Sequence, residues 1–156
     1  MNGKIFTLRN LYRSGTEKLE KAGIREAKLD AWYLLEYKTG ISRAVFLADP
    51  DREVEEEKAE SYQKDICTRA RRIPLQHITG EQEFMGLNFK VNENVLVPRQ
   101  DTEILVEEAL KRIRPDMQIL DMCTGSGCIL ESILKFGEKK QMHLKGTGCD
   151  CLLYTS

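Results

Sequence analysis

The chain has no apolar run approaching the roughly 18 to 20 residues that a membrane-spanning helix needs. Its opening, MNGKIFTLRN, also lacks the apolar core of a secretion signal. Both absences make the cytoplasm the expected location. An excess of positive charge is missing as well: 24 Lys and Arg stand against 25 Asp and Glu, a net charge of -1. That lowers the expectation of a nucleic-acid partner, although a local basic patch is compatible with it. Proline is scarce, with 4 among 156 residues, and apolar residues make up 41% against 31% charged. Such a composition describes a folded globular chain of one ordinary domain or two small ones. The five cysteines, Cys67, Cys123, Cys128, Cys149 and Cys151, are odd in number and sit at apolar positions. They read as reduced thiols rather than as a disulfide framework.

What is present first is helical periodicity. Between Phe6 and about Arg72, apolar residues recur at helical spacing: Leu8, Leu11, Leu19 and Ala22, then Leu29, Ala31, Trp32, Leu34 and Leu35, then Val45, Phe46 and Leu47. Three or four helices fit, with Gly23 and Gly40 as stops, Ser42 as a cap and Asp49-Pro50-Asp51 as a turn. Glu53, Glu55, Glu56 and Glu57 fall early in the last of these helices and Arg69, Arg71 and Arg72 at its end, the order that complements a helix dipole. At Ile73 the texture changes. Residues 73–100 have prolines near both ends, glycines at 80 and 86, and an alternation of Phe84, Leu87, Phe89 and Val91 that predicts a β-hairpin in a linker. Asp101 or Thr102 can cap a following helix whose face is Leu105, Val106, Ala109, Leu110 and Ile113. A strand over 118–122, a glycine turn, a helix from about Gly127 to Phe136 and a strand ending near Asp150 complete the pattern. Helix, strand, turn, helix, strand is how a doubly wound α/β sheet begins.

The turn lies in ILDMCTGSGCIL, residues 119–130. Beyond the carboxyl end of a first strand the backbone must approach its ligand closely. Gly125 and Gly127 remove side chains there and leave N–H groups at a helix start. A phosphate-binding P-loop needs Lys and then Ser or Thr after its last glycine, whereas Cys128 and Ile129 follow here. A dinucleotide fingerprint needs a third glycine where Leu130 stands. S-adenosyl-L-methionine carries no phosphate and needs no cation in the turn. It does need an acid for its ribose hydroxyls, and Asp150 lies 23 residues beyond Gly127 (150 less 127), near the spacing of about 20 that ribose recognition uses in related sheets. A tight turn without a ligand is the competing reading.

Three blocks in order, PLQHITG (74–80), VPRQDTE (97–103) and LDMCTGSG (120–127), resemble the HemK/PrmC family over roughly residues 5 to 150. Its members are S-adenosylmethionine-dependent methyltransferases that modify the glutamine side-chain amide in the Gly-Gly-Gln motif of peptide chain release factors. The resemblance implies an α/β architecture: an N-terminal helical bundle over 1–72 that recognises the release factor, a β-hairpin linker over 73–97, and over 98–150 the start of a Rossmann-like (class I) methyltransferase domain. Carried over by position, Cys123, Thr124, Gly125, Ser126 and Gly127 match the cofactor loop and Asp150 the acid after the second strand. Many family members have Gly in place of Cys123, and cysteine cannot take a positive φ as cheaply. Arg99, Thr102 and Glu103 match a block beside the family's active site, for which a cap plus an ion pair is the structural alternative. Gln76 and His77 read as hydrogen-bonded structural residues.

One departure weighs on activity. The family's Asn-Pro-Pro-Tyr motif, whose groups hold and orient the target amide, occurs nowhere in the 156 residues, and the register is lost after Asp150. The expectation is therefore a truncated or frame-shifted fragment with a non-native tail over 151–156, no catalytic residue of its own, and little or no turnover. Release factors are the expected partner, with neither membrane nor direct nucleic-acid contact. Adenine amino-methyltransferases acting on nucleic acid are the nearest alternative, since they share the sheet and the kind of catalytic motif. A non-catalytic module using only the bundle is another. Cys123, Cys128, His143, Cys149 and Cys151 show C-x4-C and C-x-C spacings, which do not suit a structural zinc site, so no metal is expected.

Overall fold

A computed structural model describes residues 5–150, which mix helices with three two-stranded sheets. They divide into two compact units, one ending at Thr79 and one starting at Gly80. The tail expected over 151–156 lies outside the described residues.

The first unit holds β1 (Phe6–Thr7), α1 (Leu8–Lys21), α2 (Ala27–Thr39), α3 (Arg43–Ala48), β2 (Glu53–Val54), α4 (Glu56–Ala70) and α5 (Leu75–Thr79). Thr7 caps α1 by accepting the Asn10 amide at 3.4 Å. Gly40 ends α2 in the left-handed region at φ 69, where an L side chain is strained. The periodic leucines do meet: Leu8, Leu11, Leu19, Leu34 and Leu35 are buried around Tyr62 and Ile66 of α4. Two ion pairs brace the helices, Arg69 Nε to Asp30 Oδ2 at 2.7 Å and Lys38 Nζ to Asp65 Oδ2 at 3.0 Å.

Several sequence expectations are corrected here. Glu53 is not helical; it pairs with Thr7 in an antiparallel β1–β2 ribbon, a ladder too short to leave an alternation in the sequence. Leu29, Val45 and Leu47 are exposed, and of the α3 apolar run Phe46 packs inward, on Tyr12 and Trp32. A six-residue helix has room for one inward-facing position of this kind. Ser42 occupies the cap of α3 without a side-chain bond.

The segment read as a linker is shared between the units. Its start forms α5, whose Leu75 and Ile78 pack on the helical core and whose Thr79 carbonyl accepts the Tyr37 hydroxyl at 3.1 Å. Its hairpin, β3 (Glu81–Phe84) and β4 (Leu87–Lys90), belongs to the second unit. The two turn residues, Met85 and Gly86, both have positive φ, 54 and 71, the twist that suits a two-residue hairpin. Phe84 is buried edge-on to Phe89.

The second unit continues with a 3-10 turn at Gln100–Thr102, α6 (Glu103–Leu110), β5 (Gln118–Met122), α7 (Cys128–Lys139) and β6 (Lys145–Cys149). Neither expected cap works through its side chain: Thr102 precedes α6 in helical conformation without a side-chain bond. Of the expected α6 face, Val106 is buried with Phe84, Cys128 and Ile133, whereas Leu105 is exposed. Strands β5 and β6 run parallel and α7 crosses between them, a single β-α-β unit.

Two outcomes test the helical unit. A Cβ on Gly15 would collide with the Tyr62 hydroxyl and approach Ile66 Cδ1 to 3.1 Å, so Gly15→Ala should destabilise by about 1 to 2 kcal/mol, overpacking outweighing the gain in helix propensity. Calorimetric or chemical unfolding measures this. Tyr62 is buried with its hydroxyl 3.3 Å from the Ala31 carbonyl, and burial, then the nearby Tyr12, push its ionisation well above the ordinary tyrosine range. The unfolded chain ionises first as pH rises, so stability present below about pH 10 falls above it. In Tyr62→Phe that alkaline decline in unfolding midpoint should be shallower.

Candidate functional site

Register decides what meets at the carboxyl ends of the parallel pair. Met122 lies opposite Cys149 and Asp121 opposite Gly148, so the loop leaving β5 and the residue leaving β6 emerge side by side. The ladder then continues past the strands: the Thr124 amide donates to the Cys149 carbonyl at 3.0 Å, and the Gly125 amide to Asp150 Oδ2 at 2.7 Å. An amide bonded to a carboxylate is a charge-assisted contact, the stronger class of hydrogen bond.

Three residues of this loop take positive φ: Cys123 at 62, Gly125 at 55 and Gly127 at 77. No atom lies within 4 Å of a Cβ built on Gly125, so the space beside that backbone is open. Gly127 closes the loop, donating to the Thr124 carbonyl at 2.8 Å while its own carbonyl accepts the Glu131 amide at 2.9 Å and starts α7. Its cap position carries no side-chain bond, which leaves the helix start to backbone groups. Cys123 adopts the left-handed geometry despite its Cβ, a strain of about 1 to 2 kcal/mol.

The site residues expected from the sequence fall into two groups. Cys123, Thr124, Gly125, Ser126, Gly127 and Asp150 come together at one end of the β-α-β unit. Of Arg99, Thr102 and Glu103, the last has a role in holding the fold: its Oε1 accepts the Met85 amide at 2.7 Å, tying the strained hairpin turn to the first turn of α6. The Thr102 amide donates to the Arg99 carbonyl in the 3-10 turn, and the Arg99 side chain is exposed. Gln76 accepts the Thr79 hydroxyl at its backbone carbonyl, 3.4 Å away. His77 donates its amide to the Pro74 carbonyl at 3.1 Å, and its side-chain Nε2 is buried without a partner among the described residues.

Two further residues shape the loop. Asp121, the acid on which β5 ends its inward face, accepts the Thr124 hydroxyl at 2.7 Å. Gly148 stands opposite it, and a Cβ there would come within 3.1 Å of Thr124 Cγ2. The spacing D-x-x-T after an apolar run and the alternation Gly146-Thr147-Gly148 carried these signals in the sequence. Cys128 is buried under the loop, and burial pushes its thiol up while contact with Ser126 pulls it part of the way back. It is therefore a packing residue rather than a nucleophile.

Chemically, the loop offers partly exposed backbone at Gly125 and Ser126, the Asp121 and Asp150 carboxylates and open room at a glycine, with no Lys or Arg among residues 119–130. Carboxylates of this kind can accept hydrogen bonds from a ligand's hydroxyl groups. Among the described residues no group of three or more His, Cys, Asp or Glu converges in a way that could hold a metal ion.

Comparison with known proteins bears on both units. Residues 10–80 match the model of the PrmC N-terminal domain. The helical unit is therefore similar to the N-terminal domain of that family. Most of its length is also similar to proteins named release factor glutamine methyltransferase. The relative from Geobacter sulfurreducens is 37% identical over 132 residues, which are 85% of this chain and 46% of that protein. The relative from Clostridium botulinum is 42% identical over 124 residues, 78% of this chain and 44% of that protein. The one from Caulobacter vibrioides is 36% identical over 146 residues, 92% and 49%. The chain thus spans about half the length of the curated relatives it matches. The PrmC match ends at Gly80, where the second structural unit begins.

The strain at position 123 gives a test. Cys123→Gly should raise the stability of the second unit by about 1 kcal/mol, the relief of left-handed strain exceeding the added entropy of the unfolded chain. Denaturant titration of the two proteins measures it.

Proposed function

We propose that this chain carries the partner-recognition bundle and the cofactor half-site of an S-adenosylmethionine-dependent methyltransferase that modifies the glutamine amide in the Gly-Gly-Gln motif of peptide chain release factors. One observation carries the reading: a glycine loop and a carboxylate leave neighbouring parallel strands and are joined by the 2.7 Å bond from the Gly125 amide to Asp150. The match to the PrmC N-terminal domain and the names of the relatives supply the substrate class. In this reading the second unit is the start of a Rossmann-like class I domain working in the cytoplasm, and the hairpin is its link to the bundle.

The bound cofactor would supply an electrophilic methyl group on a sulfonium. The chain's own groups would hold it. The loop backbone at Gly125 and Ser126 lies against it and the Asp150 carboxylate meets its ribose hydroxyls, while the Thr124, Gly125 and Gly127 amides keep their bonds to Cys149, Asp150 and Thr124. Open backbone at Gly125 lets it approach. Methyl transfer is an in-line displacement, so the remaining task is to align the amide nitrogen and exclude water. An amide nitrogen is a weak nucleophile, and hydrogen bonds that favour charge developing on it are needed. The Asn-Pro-Pro-Tyr motif that does this in the family does not occur in these 156 residues. In this reading these residues supply the cofactor and partner surfaces.

Isothermal titration of the full chain with S-adenosylmethionine should show binding, weakened at least about tenfold in Asp150→Ala through loss of a charged hydrogen-bond acceptor. No methyl transfer to a release factor should accompany it. Absence of binding in the folded protein would refute the cofactor site, and turnover at the rate of a full-length relative would refute the assignment of missing groups.

A further inference from the structure

The helical unit contains a second pair of reactive groups, remote in sequence from the loop. Lys18 Nζ of α1 lies 2.8 Å from Cys67 Sγ of α4, across 49 residues of chain. The sulfur is a free, half-buried thiol. It lines a cavity of about 240 Å3 with Ser14, Gly15, Lys18, Tyr62 and Gln63. Gly15 and Tyr62 pack closely at this point, where a Cβ on Gly15 would collide with the Tyr62 hydroxyl. A lysine nitrogen, an oxidisable sulfur and an opening that admits a small oxidant meet at one place between α1 and α4.

We propose that Lys18 and Cys67 form an oxidative cross-link, a sulfenamide between Nζ and Sγ, when the protein meets a peroxide. In the first step a sulfur lone pair attacks one peroxide oxygen. The O–O bond breaks, sulfur is oxidised by two electrons to S–OH, and the second oxygen leaves as water. In the next step Nζ, having released its ammonium proton to solvent, attacks the same sulfur. The S–O bond breaks, an N–S bond forms, and the hydroxyl departs as water with a proton from nitrogen. The sum is thiol plus amine plus one peroxide giving sulfenamide plus two waters. Sulfenic acids condense in this way with a backbone nitrogen, and here the lysine Nζ is the nitrogen at 2.8 Å from the sulfur. Two equivalents of a thiol reverse the link, restoring amine and thiol and leaving one disulfide.

The link would join α1 to α4 and close a 49-residue loop, which restricts the unfolded chain as a disulfide does. Peroxide would then convert a hydrogen-bonded contact into a reversible staple on the recognition bundle, independently of the cofactor loop.

Peptide mapping by mass spectrometry after brief peroxide treatment of the full chain tests this. The expected product is a Lys18–Cys67 peptide pair lacking two hydrogens, lost again after dithiothreitol. The unfolding midpoint should rise with the link and fall with its reduction. Lys18→Arg retains a cation beside the sulfur and should fold normally, yet give no linked pair. The proposal is overturned if Cys67 ends as sulfinic acid or a mixed disulfide with the Lys18 peptide unmodified, if the link retains the oxygen atom, or if Lys18→Arg leaves the product unchanged.

Discussion

The parallel register of β5 against β6 is the constraint on which the second unit depends. Setting Met122 opposite Cys149 places the ends of both strands level, and every distinctive feature of the loop follows. The Thr124 amide reaches the Cys149 carbonyl, the Gly125 amide reaches the Asp150 carboxylate, and Thr124 leans across Gly148 to Asp121. A slip by one residue would turn every β6 side chain to the opposite face and move Asp150 off the loop. The glycines at 146 and 148 hold the arrangement from below, since side chains there would press on Leu130 and Thr124.

The helical unit rests on a different principle, close approach of helices at a small residue. Gly15 on α1 admits the ring of Tyr62 from α4, and the same approach brings Lys18 beside Cys67. Buried leucines supply the bulk of the driving force, while Asp30 with Arg69 and Lys38 with Asp65 bind α2 to α4. Such partly buried pairs contribute more to the choice of one packing than to its net stability.

Much of this was legible in the sequence where the signal was local and long. The strand over 118–122, the glycine turn and the helix after it stand where periodicity put them, because apolar alternation and positive-φ residues act within a few positions. The stops at Gly23 and Gly40 were readable for the same reason. What escaped was set by tertiary contact. The β1–β2 ribbon is two residues long on each side and exists because the chain ends of α1 and α4 meet. Leu105 reads as core by period and lies in solvent, since a short helix buries a narrower stripe than its sequence offers. The bond from the Met85 amide to Glu103 Oε1 likewise joins two segments 18 residues apart and is not displayed by local spacing. Asp121 and Gly148 each left a local trace in the sequence, but their pairing across the sheet is set by the register.

The bond from the Met85 amide to Glu103 has a consequence for how this part of the chain comes apart. A two-residue tip with both φ angles positive and a methionine at its first position is poorly suited to stand alone, and a short hairpin is marginal in water. With its tip tied to the start of α6 and Phe84 sharing a core with Val106, hairpin and helix should open as one cooperative piece. A protease would then find the Met85-Gly86 tip closed for as long as the first turn of α6 stays wound.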